Sequence, residues 1–297
     1  MTHSTQFNLP SSLSAELNDD IAVLCLSRAQ KRNAIDDVML QGIDRFFGEL
    51  PASIGAVVIR GKGDHFCAGA DLSVIADINA YSRLLGSRAS HHVLDRIEYG
   101  GVPVVAVLHG AVVGVGLELA AAAHIRVAER GTFYALPEAS RGIFVGGGGS
   151  VRVPRLIGGS RVMDMMMPGR TYGAEEGAAM GLSHYLAEPG EGLAKGLELA
   201  KRVAANAALS NFGIIQALPR IARADPETGL LLESLMFSAV AADEEAQMRL
   251  RAFLEKRALK VAHPRSTRGR SGARNYRATE LKSVHAAGRH RVPVTQC

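Results

Sequence analysis

The sequence predicts an α/β fold of repeated strand–turn–helix units closed by a helical C-terminal region, and three observations carry that prediction. Two β-branched runs, Ala56 to Ile59 (AVVI) and Val104 to Leu108 (VVAVL), are each followed by a turn of small residues and a helix start. From Leu193 onward only helical patterns follow one another. The 297 residues are 47% hydrophobic, enough to fill the core of one large domain or two closely packed ones.

The elements follow in order. Leu13 to Leu17 and Ile21 to Leu26, separated by Asn18-Asp19-Asp20, form an expected β-hairpin. Arg28 to Asn33 is a polar loop, and Asp36 through Leu50 is a helix with Val38, Met39, Ile43, Phe46 and Phe47 on one face. After AVVI and the polar turn Gly61 to His65, the segment Phe66 to Leu72 (FCAGADL) places Asp71 as an N-cap. A helix then runs to about Tyr99, with Tyr81, Leu84, Leu85, Leu94 and Ile97 close to one face. His91 and His92, adjacent on that helix, cannot point the same way; they read as surface residues, not a metal pair.

The central stretch runs from Val102 to Glu138. Val104 to Leu108 is a buried strand, His109 to Gly116 (HGAVVGVG) is too glycine-rich to continue it, and Glu118 to Ala123 is helix. Such a turn delivers unpaired backbone N–H groups and the positive end of a helix dipole to one spot, which suits a developing negative charge. Ile125 to Val127 and Thr132 to Tyr134 are short strands, and Glu138 begins a turn. Gly146 to Gly149 leads into a helix ending near Ile157, with N–H groups suited to holding a water or a carbonyl oxygen. Helices follow over Gly159 to Met167, Ala174 to Met180, Leu193 to Ala208, Asn211 to Ala224, Thr228 to Ala241 and Asp243 to Arg257. The methionines at 163 and 165–167 read as adaptable packing.

The charge is not evenly spread. Of the formal net charge of +5, residues 263–297 carry eight Lys/Arg against Glu280, a balance of +7, which leaves 5 − 7 = −2 for residues 1–262. That tail, rich in Arg, Ser, Gly and His, is expected to be disordered, and reads as a frameshifted or appended end before an anion-binding arm. Three cysteines, Cys25, Cys67 and Cys297, match neither a disulfide framework nor a metal spacing. The N-terminus lacks an apolar signal and no apolar run is long enough to span a membrane, so a cytoplasmic location with no membrane partner is expected.

The ordered pair FCAGADL and GVG-x-Glu118, with Pro137-Glu138, the glycine cluster at 146–149 and FLEKR (Phe253 to Arg257), resembles the crotonase (enoyl-CoA hydratase/isomerase) superfamily over about residues 12 to 262. The resemblance implies a crotonase-like spiral of ββα units over residues 1–195, a helical trimerisation region over 196–262, and the basic tail over 263–297. It implies a hydro-lyase of fatty acid metabolism, an enoyl-CoA hydratase, with Glu118 and Glu138 as the catalytic acids and the N–H groups of Ala70 and Val115 as an oxyanion hole. Arg28, Ala68, Asp71, Gly146, Phe253 and Lys256 are the implied substrate and coenzyme A contacts, the last two acting from a neighbouring subunit. The substrate is an acyl-CoA, coenzyme A being part of it; no separate cofactor or metal is expected, and the assembly is a homotrimer or a hexamer of paired trimers. The sequence departs from the family at Val115, where glycine is commoner, at Gln30 and Asp64, where many members have lysine, and at His124, where aspartate is frequent.

Rival readings fit less well. A dinucleotide-binding domain would need a small residue where Leu119 stands, and an acid closing a second strand at the required distance. A serine hydrolase would need G-x-S-x-G, but Ser150 is followed two residues on by Arg152, and the glycine cluster lacks a P-loop lysine. Within the superfamily the alternatives are an isomerase or a hydratase–lyase. Outside enzymology the basic tail admits a nucleic-acid-binding protein, although nucleic acid is not the expected partner.

Overall fold

The computed structural model describes residues 7–74 and 79–257. The extreme N-terminus, the start of the helix expected after Asp71, and the basic tail lie partly or wholly outside the described residues.

Strands β1 (Leu13–Asn18) and β2 (Ile21–Leu26) form the antiparallel hairpin, turning through Asp19 at φ +55°. β2 then pairs in parallel with β3 (Ala56–Gly61), β3 with β4 (Val104–Leu108), β4 with β6 (Ile125–Glu129), and β6 with β9 (Tyr185–Ala187). A second sheet holds β5 (Ala111–Val113), β7 (Phe133–Ala135) and β8 (Tyr172–Gly173). Consecutive strands β4 and β5 therefore belong to different sheets. Gly110 makes the corner at φ +53°, where a side chain would collide with the Asp64 carbonyl. β6 and β7 repeat the step.

The segment after β3 completes the pattern. Cys67 bridges Val112 in parallel, its N–H donating to Ala111 O (3.0 Å) and its carbonyl accepting from Val113 N–H (3.0 Å). Residues 66–70 thus stand beside β5 as β3 stands beside β4. Three successive turns of one spiral result, each strand, strand, helix: β3 with 66–70 and α2 (Ala80–Glu98), β4 with β5 and α3 (Val115–Ala122), β6 with β7 and α4 (Gly149–Ile157). This is the ββα repeat that the resemblance implied.

The strands β2, β3 and β4 of the large sheet are buried on both faces, which is why they read as continuous apolar runs. Val105 and Val107 of β4 face α7 (Gly192–Ala204) with Leu199, Ala200 and Ala204; Val104, Ala106 and Leu108 face the opposite core with Phe46, Leu94 and Ile97. α1 (Asp37–Gly48) starts on Asp36, whose carboxylate accepts from Met39 N–H at 2.8 Å, and buries Met39, Ile43 and Phe46. Val38, expected on that face, is exposed. Tyr81, Leu84 and Leu85 are also exposed, so only the second half of α2, with Val93, Leu94 and Ile97, packs on the core.

A boundary at 195/196 would cut through α7, whose Gly196 sits against Val107 of the sheet. The helical region that stands off the sheet begins instead with α8 (Ala208–Ile221), α9 (Pro226–Ala241) and α10 (Glu244–Leu254). Between α4 and α7 lie α5 (Gly159–Met166) and α6 (Ala174–Met180), as expected. Among the described residues no helix is long and apolar enough to cross a membrane. No cluster of three or more His, Cys, Asp or Glu among them could hold a metal.

Candidate active site

Corresponding points of the three spiral turns meet at one place. On the first turn, Ala68 N–H donates to Arg32 O (3.0 Å), Ile35 N–H donates to Gly69 O (2.9 Å), and Asp71 N–H donates to Ile35 O (2.8 Å). In the parallel bridge of Ile35 with Ala70 it is Gly69 O and Asp71 N–H that bond Ile35, so the intervening Ala70 N–H is directed away from it. On the second turn the chain leaves β5 through Gly114 (φ +54°), and Val115 is the first residue of α3, where a helix N–H has no partner in its own helix. Neither N–H is taken by a backbone acceptor among the described residues. The loops touch: a Cβ on Gly114 would lie 3.7 Å from Gly69 Cα, and one on Gly116 would lie 2.5 Å from the Cys67 carbonyl oxygen. Small residues at 69, 114 and 116 are what let the two amide-bearing turns approach.

Glu118 closes the first turn of α3 rather than opening the helix as expected, and is 2% exposed. Its carboxylate is held by the glycine cluster. Gly147 N–H donates to both oxygens at 3.0 Å, and Gly149 N–H donates to Oε1 at 2.6 Å. The cluster's donors are thus directed at a carboxylate, and the residues are Gly147 and Gly149; Gly146 instead offers its carbonyl to Ser87 Oγ at 2.6 Å. Burial pushes the Glu118 carboxyl up, the two amides pull it back, and the nearby Glu138 pushes it up again. The balance is a carboxyl above its ordinary range.

Glu138 closes the third turn, after β7. It is 8% exposed, and its Oε1 lies 2.7 Å from where a Cβ on Gly114 would stand. Its Oε2 is buried without a hydrogen-bond partner among the described residues. Burial raises this carboxyl too, opposed by its own N–H and by the charge of Arg141. Both acids therefore flank the segment from Gly114 to Glu118 that also carries the Val115 amide.

The sequence profile of the enoyl-CoA hydratase/isomerase family matches residues 16–263, most of the chain. The chain belongs to that family. A candidate enoyl-CoA hydratase of Rhodopseudomonas palustris, solved by crystallography, is 53% identical and superposes with a TM-score of 0.81 over 83% of this chain and 96% of that one. An enoyl-CoA hydratase structure from Thermoplasma volcanium is 30% identical, with a TM-score of 0.77 over 84% of this chain and 98% of that one. The short-chain-enoyl-CoA hydratase of Clostridium acetobutylicum is 29% identical over 245 residues, 82% of this chain and 94% of its own length. These neighbours share the crotonase fold with this protein.

Within this family member the expected coenzyme A contacts fall in different places. Asp71 is buried and pairs with Lys31 (2.8 Å) and Arg28 (2.9 Å), while accepting from Ser73 Oγ (2.6 Å). Lys31, Ser73 and Arg28 hold its carboxyl well below the ordinary carboxylate range. Asp71 thus ties the 66–71 segment to the loop at 28–34. Arg28 serves the same tie and also reaches Asp36 (2.9 Å) and Ala34 O (2.8 Å), so its guanidinium is not free to take a phosphate. Lys31, half exposed on that loop, reaches the same carboxylate, and Arg32 beside it is exposed. Ala68 is half-buried beside the site. Phe253 and Lys256 are exposed at the end of α10, which packs on α9; the single chain does not bring them to Glu118.

His124, in the family's frequent aspartate position, is structural. Its Nδ1 accepts from Val104 N–H (2.9 Å) and its Nε2 lies 3.1 Å from Glu98 O, joining the start of β4 to the end of α2. Burial lowers its pKa, which favours the neutral ring this pattern requires. Sequence reasoning missed Arg152, Glu98 and Asp95 altogether. Arg152 interrupts no apolar periodicity, and nothing local marks it as buried.

Proposed function

We propose that this protein is an enoyl-CoA hydratase that adds water across the 2,3 double bond of an enoyl-CoA thioester. Attack at the β-carbon places negative charge on the thioester oxygen. Two fixed amides, those of Ala70 and Val115, stabilise that charge without reorganising, each by roughly 3 to 4 kcal/mol on the scale of measured oxyanion donors. The donors are backbone atoms, so Val115 in place of glycine preserves the pair.

Hydration also moves two protons, one from water and one to the α-carbon. The two acids differ in a way that divides the work. Glu118 is held by amide donors, which favour its ionised form, and acts as the base that takes a proton from water. Glu138 has a buried oxygen without a donor, which favours the protonated form, and delivers the proton to the α-carbon. A second proton-transfer group is what an isomerase, shuttling one proton, does not need. The single observation that carries the reading is the convergence of Glu118 and Glu138 on the Gly114–Val115 turn.

The test follows loss of the conjugated enoyl absorbance for 2-enoyl-CoA esters of short, long and aromatic acyl groups. Glu118→Gln and Glu138→Gln should each lower kcat by about 10² to 10⁴ with a smaller change in KM. A wild type that never hydrates, combined with Glu118→Gln that still isomerises a 3-enoyl-CoA, would establish the isomerase in its place.

A further inference from the structure

Arg152 is a buried arginine to which the hydration scheme gives no role. Its side chain is 6% exposed; Nε pairs with Glu98 and Nη2 with Asp95, both at 2.5 Å, and Nη1 donates to Gly147 O at 3.0 Å. Gly147 is therefore gripped twice, at its carbonyl by Arg152 and at its N–H by the Glu118 carboxylate. A purely structural ion pair would end at the two acids of α2. The third, directional bond goes instead to the residue that holds Glu118.

The charged groups facing this loop come from four elements. Asp95 and Glu98 lie on α2, where His91 also stands against Gly148; Glu118 lies on α3, Arg152 on α4, and Arg223 at the end of α8 reaches Glu98 at 3.1 Å. Burial works against the charge of Glu98, yet Arg152, the Tyr99 hydroxyl and Arg223 together outweigh it and hold the carboxyl below its ordinary range, ionised to anchor the guanidinium. Glu138 is the other acid that acts on Glu118 through space.

We infer that Arg152 is a positioning residue for Glu118: it fixes the Gly147 peptide so that the Gly147 and Gly149 amides stay aimed at the carboxylate, with Glu98 and Asp95 holding it in place. The inference rests on the proposed role of Glu118 as the base. Its physical content is that amide donors must be fixed to favour a buried carboxylate, and a glycine-rich turn cannot fix itself.

The experiment compares wild type with Arg152→Gln, Arg152→Lys and Glu98→Gln. Each is titrated by NMR of labelled glutamate carboxyls, with Glu118→Gln supplying the assignment, and assayed for kcat and KM across pH. In Arg152→Gln the Glu118 titration should move up by about one pH unit, because a cation and aligned amides are lost. kcat should fall on the order of 100-fold with KM within about threefold, the scale of a small misplacement of a reacting group. Arg152→Lys should recover part of both, and Glu98→Gln should shift both the same way by less. If Arg152→Gln does not fold, the other two variants carry the comparison. Variants that lose thermal stability while Glu118 titrates as in wild type would overturn the inference. A Glu118 titration that moves in a protein that hydrates nothing upholds the positioning role and sinks only the hydratase reading.

Discussion

At the scale of single residues, burial acts on three carboxyls with opposite outcomes. Asp71 is outnumbered by donors and cations, so its folded pKa is lowered; Glu118 and Glu138 are raised. The signs predict different pH dependences. A lowered group stabilises the fold above its ordinary pKa and loses that contribution as pH falls through the folded value. Asp71→Asn should therefore destabilise most near neutrality, with the difference closing in acid. A raised group does the reverse: the folded state binds more protons, so stability declines as pH rises from the ordinary carboxyl pKa through the folded one. Glu138→Gln removes that penalty, and should raise the thermal midpoint at neutral pH by on the order of 2–4 °C while slowing hydration. The gain should vanish in acid, where both forms are uncharged; thermal melts of the three proteins across pH measure it. The sequence singled out both glutamates, Glu118 after a glycine turn and Glu138 in a proline–glutamate pair, but not their burial. The ion pairs of Arg28 were not legible, since nothing local in RAQKRN shows that Asp36 and Asp71 would reach its guanidinium.

At the scale of elements, the site is made by stacking equivalent turns of a spiral, and glycines set how close the turns come. A Cβ on Gly149 would stand 2.7 Å from Glu118 Oε1, and one on Gly147 would stand 2.7 Å from Oε2. Gly149→Ala should therefore displace the carboxylate and cost on the order of 100-fold in kcat with little loss of stability, since the nearest atoms its Cβ would meet all belong to Glu118. Val115→Gly, which keeps the amide and only removes a side chain, should leave kcat within about threefold; steady-state kinetics on both variants decides. Of the elements themselves, the long β-branched strands and most helices were readable from their periodicity. Strands β5, β8 and β9 were not: three residues or fewer, they owe their form to neighbours already in place. The same holds for residues 66–70, which read as a tight turn and are held extended by bridges to Ile35 and Val112. Periodicity also put Tyr81, Leu84 and Leu85 on a buried face that the chain leaves in the open.

At the scale of the whole molecule, α8, α9 and α10 present an apolar surface that is left open among the described residues. Leu230, Leu231, Leu235, Phe237, Leu250 and Phe253 are each more than half exposed. Exposed apolar surface of that kind marks association sites in general, and the homotrimer that the resemblance implied is tested by mass. Sedimentation should give three times the chain mass, or six for paired trimers, and Leu231→Glu with Phe237→Glu should shift it toward the monomer. Phe253 and Lys256 are exposed at the end of α10. The charge balance separates the basic residues after 262 from an acidic body, and the matched family region ends at residue 263. What composition could not show was that α7 belongs to the sheet: its Gly192 and Gly196 seat the helix against Val107, a fit visible only in three dimensions.

The central claim is that two acids and two amides together deliver one water across one double bond. It is tested most directly by incubating a 2-enoyl-CoA with the enzyme in oxygen-labelled water, and separately in deuterium oxide, and locating the labels by mass spectrometry. The expected product is a 3-hydroxyacyl-CoA carrying labelled oxygen at C3 and, from heavy water, a single deuteron at C2, with neither label fixed by Glu118→Gln or Glu138→Gln. Deuterium entering at C2 or C4 while the double bond moves and no labelled oxygen appears would contradict it.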